Sequence, residues 1–139
     1  ELLKQVFIGT PHIAGYSFDG KVNGTVQIYN AACAFLGVES TWDPAPLLPA
    51  PECAEVTVRG NVLDLQSELR EAVRKVYDIR RDDVAMRTLL ATPQEERGQR
   101  FDRFRKEYPR RREFQHTRAV IQPRDQRLVE RVLGLGFKA

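Results

Sequence analysis

Apolar positions divide the chain into segments. Residues 6–10, Val-Phe-Ile-Gly-Thr, form a continuous apolar run that predicts a short buried strand, stopped at Pro11, whose ring holds Thr10 extended. After the turn His12-Ile13-Ala14-Gly15-Tyr16, Ser17 is placed to cap a helix, with Asp19 in its first turn where a carboxylate suits the dipole. Phe18, Val22, Val26, Tyr29, Cys33 and Leu36 recur near helical spacing, which carries that helix to about residue 36, with Gly37 as its stop. Gly20 and Gly24 lie one turn apart and weaken the helix, so they predict a close neighbour, another helix or a cofactor.

The texture then changes. Pro44, Pro46, Pro49 and Pro51 fall within eight residues and predict a semi-extended connector containing a domain boundary. Residues 55–59 alternate as a strand with Val56 and Val58 on one face. Leu65, Leu69, Ala72, Val73 and Val76 give an amphipathic helix over 64–77. A shorter helix follows over 81–90, with Asp82 and Asp83 in its first turn. Thr92-Pro93-Gln94-Glu95 reads as a capping box opening a third helix, which turns Phe101 and Phe104 inward and stops at Pro109. A strand over 113–121, a helix over 124–133 and a last strand over 136–139 complete the pattern. The fold class expected is α/β, with an α+β unit at the C-terminal end. Residues 1–38 read as the end of one domain, 39–54 as a linker and 55–139 as a second, strand-helix-helix-helix-strand-helix-strand unit.

With 42% hydrophobic and 29% charged residues the chain has the profile of a folded globular protein. No apolar run approaches the roughly 20 residues of a membrane span, so no membrane association is expected. The sequence opens on Glu1 rather than Met and shows no charged-then-apolar leader, which is how a fragment of a longer protein begins. Cys33 and Cys53 lack metal-ligand spacing and are too few for a disulfide scaffold, so no metal and a reducing cytoplasm are expected. Charge is uneven: residues 1–60 hold three basic and six acidic groups, residues 61–139 the other 19 basic and 13 acidic. Only five of the 22 basic residues are lysine, and an arginine excess suits an interface or an anion site as well as a solvated surface.

The segment Thr10-Pro11-His12-Ile13-Ala14-Gly15-Tyr16-Ser17 carries the candidate chemistry. A strand feeding a tight turn and a capped helix is where open α/β sheets bind ligands, and a helix N-terminus favours anions. A histidine there is suited to exchange a proton near neutral pH, although a lone histidine after a strand also serves as a structural hydrogen-bonding group.

Thr10-Pro11-His12-Ile13-Ala14-Gly15 resembles the catalytic-histidine signature of the NAD-dependent D-2-hydroxyacid dehydrogenases. Val76-Tyr77-Asp78-Ile79-Arg80-Arg81-Asp82-Asp83, Phe101-Asp102-Arg103-Phe104-Arg105-Lys106-Glu107-Tyr108 and Arg111-Arg112-Glu113 resemble the C-terminal dimerisation domain of a member of that family that acts on a phosphorylated hydroxyacid. The resemblance implies the last strand and crossover helix of a Rossmann-type domain, followed by a small dimerisation domain. It further implies His12 as the general acid/base, Gly15 as a backbone position against NAD, Tyr16 as a substrate-binding phenol, and a homodimer. The Gly-rich phosphate turn, the arginine that orients the substrate carboxylate and the glutamate that pairs with the histidine lie upstream in the family. This chain has none of them, so the isolated segment is expected to be inactive.

The remaining residues have plainer readings. His116 is expected mid-strand and structural, Cys33 in the helix core, Cys53 as an incidental linker thiol, and Trp42 packing the linker onto a domain. Arg80-Arg81 and Arg110-Arg111-Arg112 read as solvated or locally paired, or as reaching a partner subunit's phosphate-binding region. Two alternatives to a dehydrogenase segment stand beside it. A regulatory ligand module would show a βαββαβ order rather than three helices between its first strands. Nucleic-acid binding is disfavoured by Phe101 and Phe104 at core positions and by interspersed acids.

Overall fold

The computed structural model describes residues 2–60 and 64–139. Its centre is a small parallel sheet. Strand β1 (Glu55–Arg59) alternates exposed and buried, and β2 (Arg118–Gln122) pairs with it from Glu55↔Arg118 to Arg59↔Gln122. A parallel pair needs a long crossover. Here it runs through three helices, α2 (Leu65–Val76), α3 (Ile79–Arg87) and α4 (Arg97–Lys106). After β2 comes α5 (Gln126–Gly134), whose N-terminus is capped by Asp125 accepting from Leu128 N–H at 3.0 Å. Lys138 then adds one parallel bridge to Arg118, in place of the expected final strand.

The core follows from the alternation in β1. Val56 and Val58 point inward and meet Leu69 and Ala72 of α2, Leu128 and Val132 of α5, Ala119 and Phe137. Phe114 stacks on Phe137 with centroids 4.9 Å apart, closing one end. Cys53, expected as incidental, packs against this core, and its carbonyl accepts from the buried Thr117 hydroxyl at 2.6 Å.

The N-terminal portion is built around α1 (Phe18–Leu36). Ser17 Oγ accepts from Gly20 N–H at 2.9 Å, and Gly37 ends the helix at φ +66°. Phe18, Val22, Val26 and Tyr29 are half-buried and Cys33 is buried, but Leu36, expected on that face, is 69% exposed because α1 outruns its partners. Tyr29 accepts at its hydroxyl from the Thr41 and Trp42 N–H groups at 3.0 and 3.2 Å, and the Trp42 ring meets Tyr29 edge-on. The proline-rich connector is thereby folded back along α1, with one 3₁₀ turn at Ala45–Leu47.

Several expectations are corrected. Residues 6–10 form no strand: Phe7 is 92% exposed, the Val6 and Phe7 carbonyls accept from Arg87, and Gly9 N–H donates to Asp83. Side chains of α3 take the backbone groups that a strand ladder would have used. Of the two α1 glycines only Gly20 has a close neighbour, and it is the preceding turn: a Cβ there would stand 2.9 Å from Ser17 Oγ and 3.0 Å from the Gly15 carbonyl oxygen, while open space surrounds Gly24. α3 starts earlier than expected because Asp78 caps it, accepting from Arg80 N–H at 3.1 Å. The Thr92 capping box does not form. Thr92 is buried and donates to the Thr88 carbonyl at 2.9 Å, completing the preceding 3₁₀ turn (Thr88–Ala91), so the next segment opens as another 3₁₀ turn (Gln94–Glu96). A 3₁₀ turn at Phe114–His116 likewise delays β2 and takes His116 out of a strand.

Candidate functional site

Pro11 and Ile13 are buried and wedge the turn before α1 onto the rest of the chain, while His12 between them is exposed. The alternation of buried and exposed positions turns the imidazole outward. His12 has φ +58°, a left-handed conformation that few residues other than glycine adopt. Tyr16 N–H closes the turn onto the Ile13 carbonyl at 2.9 Å, and Gly15 sits at φ +71°. A Cβ on Gly15 would meet nothing within 4 Å, so its backbone faces open space. The sequence-predicted residues His12, Gly15 and Tyr16 therefore lie on one turn. No side chain among the described residues hydrogen-bonds the His12 imidazole.

What holds this turn is a buried polar cluster whose members lie far apart in sequence. Arg112 donates to Asp19 through Nε at 3.1 Å to each oxygen and through Nη2 at 2.9 Å. Glu113 N–H adds 2.7 Å to the same carboxylate, and His116 Nε2 lies 3.0 Å from it. Arg112 also donates to the Pro49 carbonyl, and Phe18 N–H donates to the Arg111 carbonyl at 2.8 Å. One guanidinium thus joins the α1 N-terminus, the connector and the segment before β2. Burial pushes the Asp19 carboxyl up, but the Arg112 hydrogen bond, the Glu113 N–H and the charges of Arg112 and His116 outweigh it and hold it below the usual carboxylate range.

A tyrosine cluster lies beneath Tyr16. Tyr16 and Tyr108 meet edge to face at 5.8 Å, and Tyr108 and Tyr77 both donate to one Asp82 oxygen, at 2.9 and 2.6 Å. Burial and the Asp82 hydrogen bond push both of those phenols up, Tyr77 far above the ordinary range. A cleft of about 290 Å³ opens beside Pro11, lined by Arg81, Asp82, Arg103, Phe104 and Tyr108. Of the arginines expected to be solvated or to reach a partner, Arg80 pairs with Asp78 and Arg112 with Asp19, while Arg81 faces this cleft. No group of acidic, histidine or cysteine side chains suited to a metal occurs among the described residues. No helix among them is long and apolar enough to cross a membrane.

The only sequence signal for Asp19 was its place in a helix first turn; nothing announced an arginine 93 positions away. Among known proteins, a family described as a domain of unknown function (DUF3410) matches residues 47–136. The chain is also similar to curated proteins named erythronate-4-phosphate dehydrogenase. That of Marinobacter nauticus is 37% identical over 138 residues, covering 99% of this chain and 36% of the relative. Those of Escherichia fergusonii and Cronobacter sakazakii are each 42% identical over 139 residues, covering 100% of this chain and 34% of the relative. The chain spans about a third of the length of the curated relatives it matches.

Proposed function

The chain belongs to the DUF3410 family, and from that membership and its relatives' shared name we propose that it is the C-terminal part of an erythronate-4-phosphate dehydrogenase. The reaction is oxidation of 4-phospho-D-erythronate at C2 to its 2-oxo acid, with NAD as acceptor, in the cytoplasmic route to pyridoxal phosphate. The observation that carries the reading is one turn holding His12 outward, Gly15 open and Tyr16 beside them. Three helices between parallel strands favour it over a βαββαβ regulatory module.

The residues present fit a dinucleotide as far as this chain reaches: Gly15 has no side chain and nothing opposite it, so a flat ligand can approach its backbone. Bound NAD supplies the hydride acceptor. His12 takes the proton of the substrate 2-hydroxyl as C2 is oxidised, which avoids an unassisted alkoxide and is worth roughly 10²–10⁴ in rate. Its left-handed backbone and buried neighbours Pro11 and Ile13 fix where its Cα stands and leave the side chain on the outside of the turn. Tyr16 offers its phenol to the phosphorylated substrate. The substrate-carboxylate arginine, the glutamate that orients His12 and the Gly-rich turn come from the remainder of the Rossmann-type enzyme, so this segment alone is inactive.

Residues from about 46 onward serve as the dimer interface in this reading. Support comes from the thin core around a small sheet and from exposed apolar side chains on helical segments, Val84 and Leu133 among them. The test is NADH formation by the full-length protein given 4-phospho-D-erythronate and NAD, with its mass measured by light scattering. Turnover by a dimer supports the proposal. A protein that turns over only unphosphorylated hydroxyacids, or is monomeric at micromolar concentration, contradicts its substrate or interface part respectively.

A further inference from the structure

Two cations stand against the Tyr16 ring. The Lys21 ammonium stands 3.8 Å from the ring centroid and the Arg105 guanidinium carbon 5.8 Å from it. Lys21 rises from the first turns of α1 and Arg105 from α4, so two elements distant in sequence bring their cations to one ring. Arg105 Nε is buried and has no hydrogen-bond partner. Among the described residues neither cation forms an ion pair, and the Tyr16 phenol makes no hydrogen bond. Five other arginines, Arg74, Arg80, Arg87, Arg112 and Arg118, each hold a carboxylate. Arg111 also has an unpartnered Nε, but it lies over Tyr77 in a cleft that Glu52 and Asp82 line, where acids already balance it.

Cation–π contact explains why the two cations stay near the ring, but it leaves their N–H groups unused. A buried donor without an acceptor is costly, and two unpaired cations beside a phenol fit an anionic ligand rich in acceptors. A phosphate monoester is such a ligand: it carries close to two negative charges and three acceptor oxygens, and charge-assisted bonds to ammonium and guanidinium are the strong kind. We propose that Lys21, Arg105 and the Tyr16 phenol bind the phosphate of the hydroxyacid substrate, setting the preference for a phosphorylated over an unphosphorylated acid. The proposal rests on the dehydrogenase reading for the identity of the phosphate's carrier. His12 and Tyr16 sit at opposite ends of one turn, so a single ligand spanning it has its reacting carbon and its anionic end kept apart.

Phosphate could also reach the site as the pyrophosphate of NAD, and the experiment separates the two sources. In the full-length protein, Lys21→Met, Arg105→Met and Arg105→Lys are compared with the unaltered enzyme. The measurements are KM and kcat for the phosphorylated acid, the unphosphorylated acid and NAD, and calorimetric binding of inorganic phosphate. Each Met variant should raise KM for the phosphorylated acid and the Kd for phosphate by roughly tenfold or more, the loss expected for a charged hydrogen bond. KM for NAD and for the unphosphorylated acid should stay within about twofold, and Arg105→Lys should retain most of the phosphate affinity. Lys21 is exposed, so its substitution decides the matter alone should Arg105→Met unfold the chain. Unchanged phosphate binding in Lys21→Met overturns the proposal, as does a rise in KM for NAD alone. If the unaltered protein oxidises no phosphorylated acid yet Lys21→Met loses phosphate binding, the dehydrogenase reading fails while the anion site stands.

Discussion

Replacing Asp19 with alanine removes the acceptor at the centre of the junction between α1, the connector and the segment before β2. The Asp19 side chain is 4% exposed and that of Arg112 is 7% exposed, so water cannot take over either role. Arg112 would keep its charge, the Pro49 carbonyl and the neighbouring His116, and lose every carboxylate contact. Glu113 N–H would also lose its partner. Breaking one member of a buried pair costs about 3–5 kcal/mol, a large share of the roughly 5–15 kcal/mol that holds a domain together. The retained Pro49 contact places the expected loss near the lower end, about 3 kcal/mol, read by urea denaturation at neutral pH. Pairing Asp19→Leu with Arg112→Met should cost clearly less than the sum of the single changes, since no unpaired charge remains buried. The folded carboxyl lies below its unfolded value of about 3.9, so the contribution of Asp19 is present above that value and lost as pH falls through the folded one. The gap between unaltered protein and Asp19→Ala should therefore close in acid. A single-substitution loss under about 1 kcal/mol, or strict additivity in the double change, would refute the account of the junction.

Three further outcomes are expected. Leu128→Ala, at a side chain 2% exposed between the sheet and α5, should cost about 2–5 kcal/mol in the same denaturation assay. Two of the four tyrosines should resist ionisation well above pH ~10 in an alkaline absorbance titration, because Tyr77 and Tyr108 are pushed up by burial and by Asp82. Their stabilising contribution holds below the unfolded tyrosine value and fades as pH rises past it, and Asp82→Asn should bring both titrations down. Arg87→Ala removes the donor to the Leu3, Val6 and Phe7 carbonyls, so amide exchange over residues 2–9 should accelerate while exchange in β1 and β2 does not.

Local chemistry was legible where it acted locally. Ser17 and Gly37 delimit α1, and Val56 and Val58 mark the buried face of β1, all through contacts within a few residues. Thr92 misled because its hydroxyl had a better acceptor behind it, the Thr88 carbonyl, than the N–H groups ahead. Residues 6–10 misled for a different reason: an apolar run specifies a strand only if a ladder partner exists, and here Asp83 and Arg87 take its backbone groups. His12, Gly15 and Tyr16 could be singled out from one short motif because a turn keeps its residues together. Asp19 with Arg112, and Tyr16 with Arg105, could not, since each pair forms only once the chain has folded across about ninety positions.

In the proposed dehydrogenase His12 moves the substrate proton. That role is tested most directly by comparing His12→Asn with the unaltered full-length enzyme on 4-phospho-D-erythronate and NAD. Asparagine tolerates the left-handed backbone at this position, so the turn should be kept while the proton acceptor is lost. The expected result is a kcat lower by roughly 10²–10⁴ with KM for NAD and thermal stability nearly unchanged. A kcat within about threefold of the unaltered enzyme would contradict it, because an imidazole that can be dispensed with is not the base.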